Sequence, residues 1–324
     1  MKALVLIGGL GTRLRPITYT VPKQLIPIAG RPVLYHALDL IPGDVEEVIL
    51  ATGYKADVIG QYVREHPTRF PLRMVAEASP LGTGGGMRNA GDGVSDPFLL
   101  LNGDVIAHVD VPALLAFHRQ RHAFGSLVLT EVEDPEPYGV AALDAGDRIT
   151  HFVEKPKAAE APSHWINAGM AIWGRDTISA IPPGTPVSFE RDVLPDLLPR
   201  GVYGFRMSGF WEDAGTPERL LNAQRLLFDA GRGQRTLLPE GSTGTGPVAV
   251  GEGSEARGAR FGRYVTVGSG VKIGSGAFLE DCVVMDGARI GADANISGSI
   301  IGPGMEIAPG QRVESGVAAR SPPA

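Results

Sequence analysis

Apolar residues recur along this chain in two different rhythms, and the change between them falls after residue 230. In the first part, short unbroken apolar runs alternate with stretches of helical spacing. Residues 3–7 form such a run and predict a buried strand of a parallel sheet. Val33, Leu34, Ala37, Leu38 and Ile41 follow at helical spacing, residues 48–51 predict the next buried strand, and residues 57–64 a further helix. Residues 97–101 are again apolar and run into Asn102-Gly103-Asp104. From about residue 125 to 173 apolar and polar positions alternate, with Val140, Ile149, Phe152, Ile166 and Met170 among the apolar members. That alternation predicts added antiparallel strands. The whole pattern argues for an α/β fold, an open and mostly parallel sheet covered on both faces. Ligands bind such sheets beyond the carboxyl ends of the strands, where residues 8–15 and 102–104 both fall.

Residues 217–230 predict a helix with Thr216 as N-cap and Pro217 in its first turn. Residues 231–246 are rich in Gly, Thr and Pro and mark a linker. Beyond it, Phe261, Val267, Ile273, Leu279 and Met285 stand six apart. After one-residue slips the series continues at Ile290 and Ile296, then at Ile301, Ile307 and Val313. This period predicts a short left-handed parallel β-helix of hexapeptide repeats, about three coils long. A prism that short exposes an end, so packing against another domain or subunit is expected, and with it a homo-oligomer. A disordered glycine-rich tail is the alternative, but it gives no reason for regular apolar spacing. The expected organisation is a first domain over 1–230, a linker over 231–246 and a β-helix over 247–318.

Charge and cysteine content narrow the partners. Lys and Arg number 30 against 36 Asp and Glu, a net charge of −6, with no basic stripe. Nucleic acid is therefore not an expected partner. The single cysteine, Cys282, cannot form an internal disulfide and reads as a small buried hydrophobe in a reducing compartment. The first apolar run is too short for a signal peptide, and no stretch approaches the roughly 20 apolar residues of a membrane span. A cytoplasmic protein without a membrane partner is expected.

The candidate chemistry begins at Gly8-Gly9-Leu10-Gly11-Thr12-Arg13-Leu14-Arg15-Pro16-Ile17-Thr18, followed by Pro22-Lys23. Three glycines directly after a strand let the backbone approach phosphate oxygens and aim successive N–H groups at them. Arg13, through its fork, and Lys23, as a point charge, can offset triphosphate charge. A dinucleotide fingerprint would need glycine where Leu14 stands, and a P-loop would need Gly-Lys-Ser/Thr. A glycine-rich turn alone is equally a structural turn; Thr12-Arg13-Leu14 and the spaced Pro22-Lys23 make it specific.

On these residues the chain resembles the sugar-nucleotide pyrophosphorylases, or sugar-1-phosphate nucleotidyltransferases. Members open with Gly-Gly-x-Gly-Thr-Arg-Leu-x-Pro-x-Thr and a downstream Pro-Lys. The resemblance covers nearly the whole chain, since several relatives carry a C-terminal left-handed β-helix. It implies a Rossmann-like, GT-A-like catalytic domain over 1–230. It also implies that Gly8, Gly9, Gly11, Thr12 and Arg13 hold the nucleotide, that Arg13 promotes pyrophosphate departure, and that Lys23 binds phosphate. Arg15, shared by many relatives but not all, would brace the loop.

The resemblance extends to three further segments. An Asp after a strand is usually a turn or cap residue, but the family's Gly-Asp pair at this place implies Asp104 as an Mg²⁺ ligand, in keeping with that ion's preference for carboxylates, phosphates and water. Trp211-Glu212-Asp213-Ala214-Gly215-Thr216 resembles the family's Trp-x-Asp-x-Gly-Thr and implies Asp213 as the second ligand; Glu212 beside it is read as solvated. Val153-Glu154-Lys155-Pro156 implies Glu154 on sugar hydroxyls and Lys155 on the sugar phosphate, although many such pairs are only surface ion pairs. Ile166-Asn167-Ala168-Gly169 implies Asn167 on the sugar, with Gly169 permitting close approach, and Trp165 is read as packing.

Pro80-Leu81-Gly82-Thr83-Gly84-Gly85 resembles the loop lining the base pocket, which places Gly82 and Thr83 at the nucleobase. Its Leu-Gly-Thr is most like that of mannose-1-phosphate guanylyltransferases, whereas Pro22-Lys23-Gln24-Leu25 resembles thymidylyltransferases. The base loop touches the discriminating edge and is given more weight. The expected reaction is attack of a sugar 1-phosphate, mannose 1-phosphate first, on the α-phosphorus of a nucleoside triphosphate, GTP first, with pyrophosphate leaving. Thymidylyl, uridylyl or adenylyl transfer to glucose 1-phosphate or another sugar phosphate is the alternative. A non-catalytic subunit binding sugar nucleotide is an alternative of another class. A hexapeptide acyltransferase would need a histidine near the coils, and none lies beyond His164.

Overall fold

The computed structural model describes residues 1–320 and divides into two compact units: Met1–Gly9 with Ala37–Trp211, and Leu10–His36 with the chain from Glu212 onward. The first unit is built on nine strands: β1 (Lys2–Ile7), β2 (Glu47–Thr52), β3 (Leu72–Ala76), β4 (Phe98–Asn102), β5 (Gly125–Glu131), β6 (Gly139–Leu143), β7 (Ile149–Glu154), β8 (Trp165–Trp173) and β9 (Val202–Arg206). Their order is β7-β6-β8-β4-β1-β2-β3, with β5 paired to β8 and β9. Strands β4, β1, β2 and β3 are parallel; β8 runs antiparallel to β4, β5 and β6, as β7 does to β6.

The centre of this sheet explains the unbroken apolar runs. Strand β1 has a neighbour on each side and both faces covered, so Ala3, Leu4 and Val5 are fully buried and none of them can be polar without cost. Leu4, Ile49, Phe98, Leu129 and Trp173 belong to one core cluster. The helices include α1 (Val33–Leu38), α2 (Ala56–Glu65), α3 (Gly82–Ala90) and α4 (Val111–Gln120). Helix α1 stops short of Ile41, which precedes Pro42 and is pushed out of helical geometry by it.

Helix α3 corrects an expectation. The stretch from Pro80 to Gly85 was expected as a loop, yet Gly82 begins a helix. Glycine costs about 1 kcal/mol per helical position relative to alanine. Here that cost is offset by approach: a Cβ on Gly84 would lie 3.0 Å from Val187 Cγ1, and one on Gly85 2.6 Å from Leu81 Cβ. Met87 and Ala90, on the same helix, enter the core.

In the second unit, α5 (Pro217–Asp229) starts where expected, with the Thr216 hydroxyl accepting from the Arg219 N–H at 3.3 Å. The prism that follows has three parallel ladders. One carries Thr243–Gly244, Arg260–Phe261, Phe278–Glu280 and the first part of Asn295–Ile301. The next carries Val248–Val250, Val265–Val267, Cys282–Val284 and the second part of Asn295–Ile301; the third carries Lys272–Ile273, Arg289–Ile290 and Glu306–Ile307. Arg312–Ala318 closes both of the first two. The ladders hold more than the three coils expected.

Most equivalent rungs lie 17 residues apart, as in Val248, Val265 and Cys282 (265 − 248 = 17; 282 − 265 = 17), whereas Arg260 and Phe278 are 18 apart (278 − 260 = 18). Three hexapeptides would make 18. The short coil accounts for the slips in the apolar series and shifts one assignment: Val267 pairs with Val284, not Met285. Val284 is the residue packed in the prism's core cluster. Cys282 is fully buried there, and burial pushes its thiol well above the usual range, so it is an inert packing group. No helix among the described residues is long and apolar enough to cross a membrane.

Candidate active site

Register in the first unit gathers the candidate residues. Ile7 pairs with Thr52, Thr52 with Ala76, and Leu6 with Asn102. The next residues of those strands, Gly8, Gly53, Glu77 and Gly103-Asp104, therefore leave the sheet side by side at its carboxyl edge. Gly103 donates its N–H to Leu6 O at 3.0 Å, and a Cβ there would collide with the Ile7 side chain. That crossing fixes Asp104 beside the start of the Gly8-Gly9 turn.

Glu77 is the residue at this edge that sequence reasoning missed. Its carboxylate lies against bare backbone: a Cβ would come 3.0 Å from Glu77 Oε1 on Gly8 and 2.5 Å on Gly53. The Leu81 N–H donates to Oε2 at 3.1 Å. Burial raises the Glu77 carboxyl above its ordinary range, with the Leu81 bond opposing. Glu77 obeys the rule that found Asp104, since it directly follows a strand. Its strand, however, is half-buried and interrupted by Arg73, so no apolar run announced it.

Across β4, a bulge in β8 shapes the region expected to meet the sugar. The register shifts between Asn167 and Ala171, and Gly169, at φ +76°, donates its N–H to Asn167 Oδ1 at 3.1 Å. A Cβ on Gly169 would lie 2.8 Å from Val105 Cγ2 and 2.9 Å from Asn102 Nδ2. Trp211 Nε1 donates to Ala168 O at 2.9 Å and pins the bulge. Gly169→Ala adds this clash to a backbone strain of roughly 1–2 kcal/mol. It is expected to raise KM for the sugar phosphate about tenfold with little change in KM for the nucleotide, as read by steady-state kinetics.

Glu154 closes β7 opposite Gly139, with Lys155 Nζ 3.8 Å from its Oε1. Burial raises the Glu154 carboxyl, and the charge of Glu190 raises it further, against Lys155 and Arg191. Glu190 sits in a π-helical turn, Phe189–Val193, and accepts the Thr83 hydroxyl at 2.6 Å. The Thr83 oxygen in turn accepts the Phe189 N–H at 2.9 Å. The Thr83 side chain thus holds α3 to that turn. Trp165 packs against the core beneath the Arg206 guanidinium, 5.2 Å from its ring centroid.

The second unit brings Arg13 and Asp213 together. Arg13 Nη2 lies 3.7 Å from Asp213 Oδ2, and Arg219 Nη1 lies 3.4 Å from the same oxygen. Gly215 leaves room for the Arg13 guanidinium that any Cβ would occupy. Thr18 donates its hydroxyl to Gly11 O at 2.9 Å, and the Arg15 guanidinium sits 4.9 Å from the Tyr19 ring centroid. Glu212 corrects a second expectation, for it is not simply solvated. It is half-buried, accepts Asn222 Nδ2 at 2.7 Å and the Asp213 N–H at 3.1 Å, and burial raises its carboxyl. Helix α5 supplies the donor that makes this burial tolerable.

Residues 2–229 match the nucleotidyl transferase family model, and residues 245–320 match the model described as the GMPPB C-terminal domain. The chain belongs to the nucleotidyl transferase family. It is similar to the mannose-1-phosphate guanylyltransferase of Mycobacterium tuberculosis, at 38% identity over 81% of this chain and 77% of that protein. It is 37% identical to the mannose-1-phosphate guanylyltransferase catalytic subunit beta of Danio rerio, over 72% of this chain and 66% of the relative. Among solved structures, HddC from Yersinia pseudotuberculosis is similar at a TM-score of 0.60 and 29% identity, covering 69% of this chain and 98% of that one. A putative glucose-1-phosphate thymidylyltransferase from Bacillus anthracis, in complex with a sucrose, is similar at 0.63 and 26%, covering 74% and 98%.

This nucleotidyltransferase is an enzyme whose substrates are a nucleoside triphosphate and a sugar phosphate, and its family generally uses a divalent metal. Among the described residues no group of three or more His, Cys, Asp or Glu forms a ready-made cage. Sequence reasoning also missed Glu190 and Arg219. Neither carries a local signal: Glu190 meets Thr83, 107 positions away, and Arg219 meets Asp213 across the turn that leads into α5.

The raised carboxyls have a pH consequence. A group whose folded pKa exceeds its unfolded value adds stability that is present below the unfolded value and lost as pH rises through the folded one. Ionising Glu77, Glu154 and Glu212 therefore works against folding, and a ligand that pairs with the carboxylate recovers the loss. Nucleotide binding that depends on ionised Glu77 is expected to weaken, as pH falls, at a higher pH than an ordinary carboxylate's value of about 4.3. A KM–pH profile for the nucleotide checks this, with Glu77→Gln removing that limb.

Proposed function

We propose that the enzyme transfers a guanylyl group from GTP to mannose 1-phosphate, with Mg²⁺ as its metal, releasing pyrophosphate. The observation that carries the base is the Glu77 carboxylate held against the glycine turn. Guanine offers N1–H and a 2-amino group side by side, two donors that one carboxylate accepts together. Uracil and thymine offer one N–H between two carbonyls, which a carboxylate repels. The relatives named as mannose-1-phosphate guanylyltransferases support both base and sugar.

In this reading the backbone of Gly8, Gly9, Gly11 and Thr12 cradles the triphosphate and Lys23 adds a fixed positive charge. Arg13, more than half exposed at its side chain, meets the charge that builds on the departing pyrophosphate. Backbone groups of Gly82 and Thr83 border the base. Glu154 and Asn167 orient the sugar hydroxyls, Gly169 admits the sugar closely, and Lys155 pairs with its phosphate. Mg²⁺ held by Asp104 and Asp213 would offset phosphate charge. The sugar phosphate is already an anion, so no protein nucleophile is required, and alignment with charge neutralisation carries the rate. The catalytic domain is assigned to 1–230, the linker to 231–246 and the prism to 247–318, whose open end is the proposed surface of a homo-oligomer.

A pyrophosphate-release assay crossing GTP, ATP, UTP and dTTP with mannose and glucose 1-phosphates tests the proposal. GTP with mannose 1-phosphate is expected to be the preferred pair. Preference for UTP or dTTP would overturn the base assignment, and preference for glucose 1-phosphate the sugar.

A further inference from the structure

Gln224, on α5, has no exposed surface, and its carboxamide is fully engaged. Its oxygen accepts the Thr266 hydroxyl at 2.6 Å and the Ala29 N–H at 3.2 Å. Its nitrogen donates to Tyr264 O at 2.7 Å and Cys282 O at 3.2 Å. Two acceptances and two donations are what one carboxamide can supply in such a site. The partners come from separate parts of the second unit: two neighbouring coils of the prism and a hairpin turn near the start of the chain.

That hairpin follows the Lys23 turn. Pro27–Ile28 pairs with Arg31–Pro32 around Ala29 and Gly30, at φ +47° and +87°. Ala29 is fully buried, and a non-glycine residue held at positive φ persists only where its surroundings over-determine it. Here the Ala29 N–H is taken by Gln224, and its carbonyl accepts the Gln234 N–H at 2.9 Å. A Cβ on Gly30 would lie 2.8 Å from the Gln234 side chain and 3.0 Å from Ala249 Cβ, on a prism rung. The Ile26 N–H donates to Lys23 O at 3.2 Å, and a Cβ on Gly11 would lie 3.3 Å from Lys23 Cβ. A continuous set of contacts thus runs from the prism through Gln224 and the hairpin tip to Lys23 and the glycine turn.

We propose that Gln224 is a positioning residue for nucleotidyl transfer: it ties the hairpin after Lys23 to the C-terminal prism, so that the prism sets where the triphosphate-binding lysine stands. The proposal rests on the phosphate role assigned to Lys23 above. Gln224 touches no substrate and acts through the Ala29 amide. The prism is then part of the catalytic apparatus and not only a surface for assembly.

The test uses the full-length enzyme and follows pyrophosphate release together with amide hydrogen exchange over residues 23–32. Gln224→Met keeps side-chain length and removes all four bonds. It is expected to speed exchange at Ala29 and to raise KM for the nucleotide about ten- to a hundredfold, the usual scale for a small misplacement. KM for the sugar phosphate should stay near its normal value. A folded Gln224→Met enzyme with unchanged nucleotide KM overturns the proposal. Should that variant fail to fold, Thr266→Val removes one bond of the set, and Thr266→Ser restores it. A nucleotide KM raised in the valine variant and normal in the serine variant supports the proposal, and equal values in both overturn it. Lys23→Ala separates the two readings, because a normal nucleotide KM there would refute the lysine's role while hydrogen exchange still reports whether Gln224 holds the hairpin.

Discussion

Glu77→Gln is expected to lower kcat/KM for GTP by about 10²–10³-fold, roughly 3–4 kcal/mol, and to narrow or reverse the preference over UTP and dTTP. A hydrogen bond to a charged group contributes about 1.5–3 kcal/mol, and a buried partner left mismatched costs more. Glutamine turns one acceptor oxygen into an NH₂ that faces the 2-amino group of guanine, so a bond is lost and a donor–donor clash appears. The same amide suits N3–H and a flanking carbonyl of uracil or thymine. The isosteric change leaves the Leu81 N–H an acceptor in whichever orientation puts oxygen toward it. Competition kinetics with mixed triphosphates measures the ratio directly. An unchanged GTP preference would show that Glu77 does not read the base.

Asp104→Asn should cost at least about 10²–10³ in kcat, as should Arg13→Ala, which is the usual loss when one preorganised electrostatic contact is removed. The two should differ in metal response. Asparagine at 104 keeps size and the Gly103 crossing against Ile7, so the fold is retained while an anionic oxygen donor is lost; half-maximal activity should require more Mg²⁺. Arg13→Ala should leave that requirement nearer normal and lower the rate of the chemical step. Thermal melting of both variants checks that the fold is intact. A folded Asp104→Asn enzyme with normal turnover and metal response would remove Asp104 from the metal.

Much of this protein was legible in the order of its residues, because the signals involved are local. Strand β1 had to be apolar from Ala3 to Ile7 once it lay in the middle of a covered parallel sheet. The glycine turn after it and Asp104 after β4 occupy strand ends that a run of hydrophobics already marks. The prism announced itself because one inward residue per short strand is a repeat visible without coordinates. Fold class follows from such periods, and the reaction class from the resemblance of the glycine-rich loop to that of a known family.

The tertiary structure decided what depends on partners far apart in sequence. The short coil that aligns Val284 with Val267 is a matter of register between turns. The glycines of α3 form a helix because Val187 and Leu81 close on them, against their intrinsic propensity. Glu212 is held in place by Asn222, and the Thr83 hydroxyl is committed to Glu190, 107 positions away. Glu77 directly follows a half-buried edge strand, and Gln224 is a polar residue inside a helix, so neither breaks a pattern in the way that draws notice. Periodicity records which side of an element is buried, whereas a hydrogen bond or a close backbone approach needs two groups within about 3 Å, and only the folded chain brings these together.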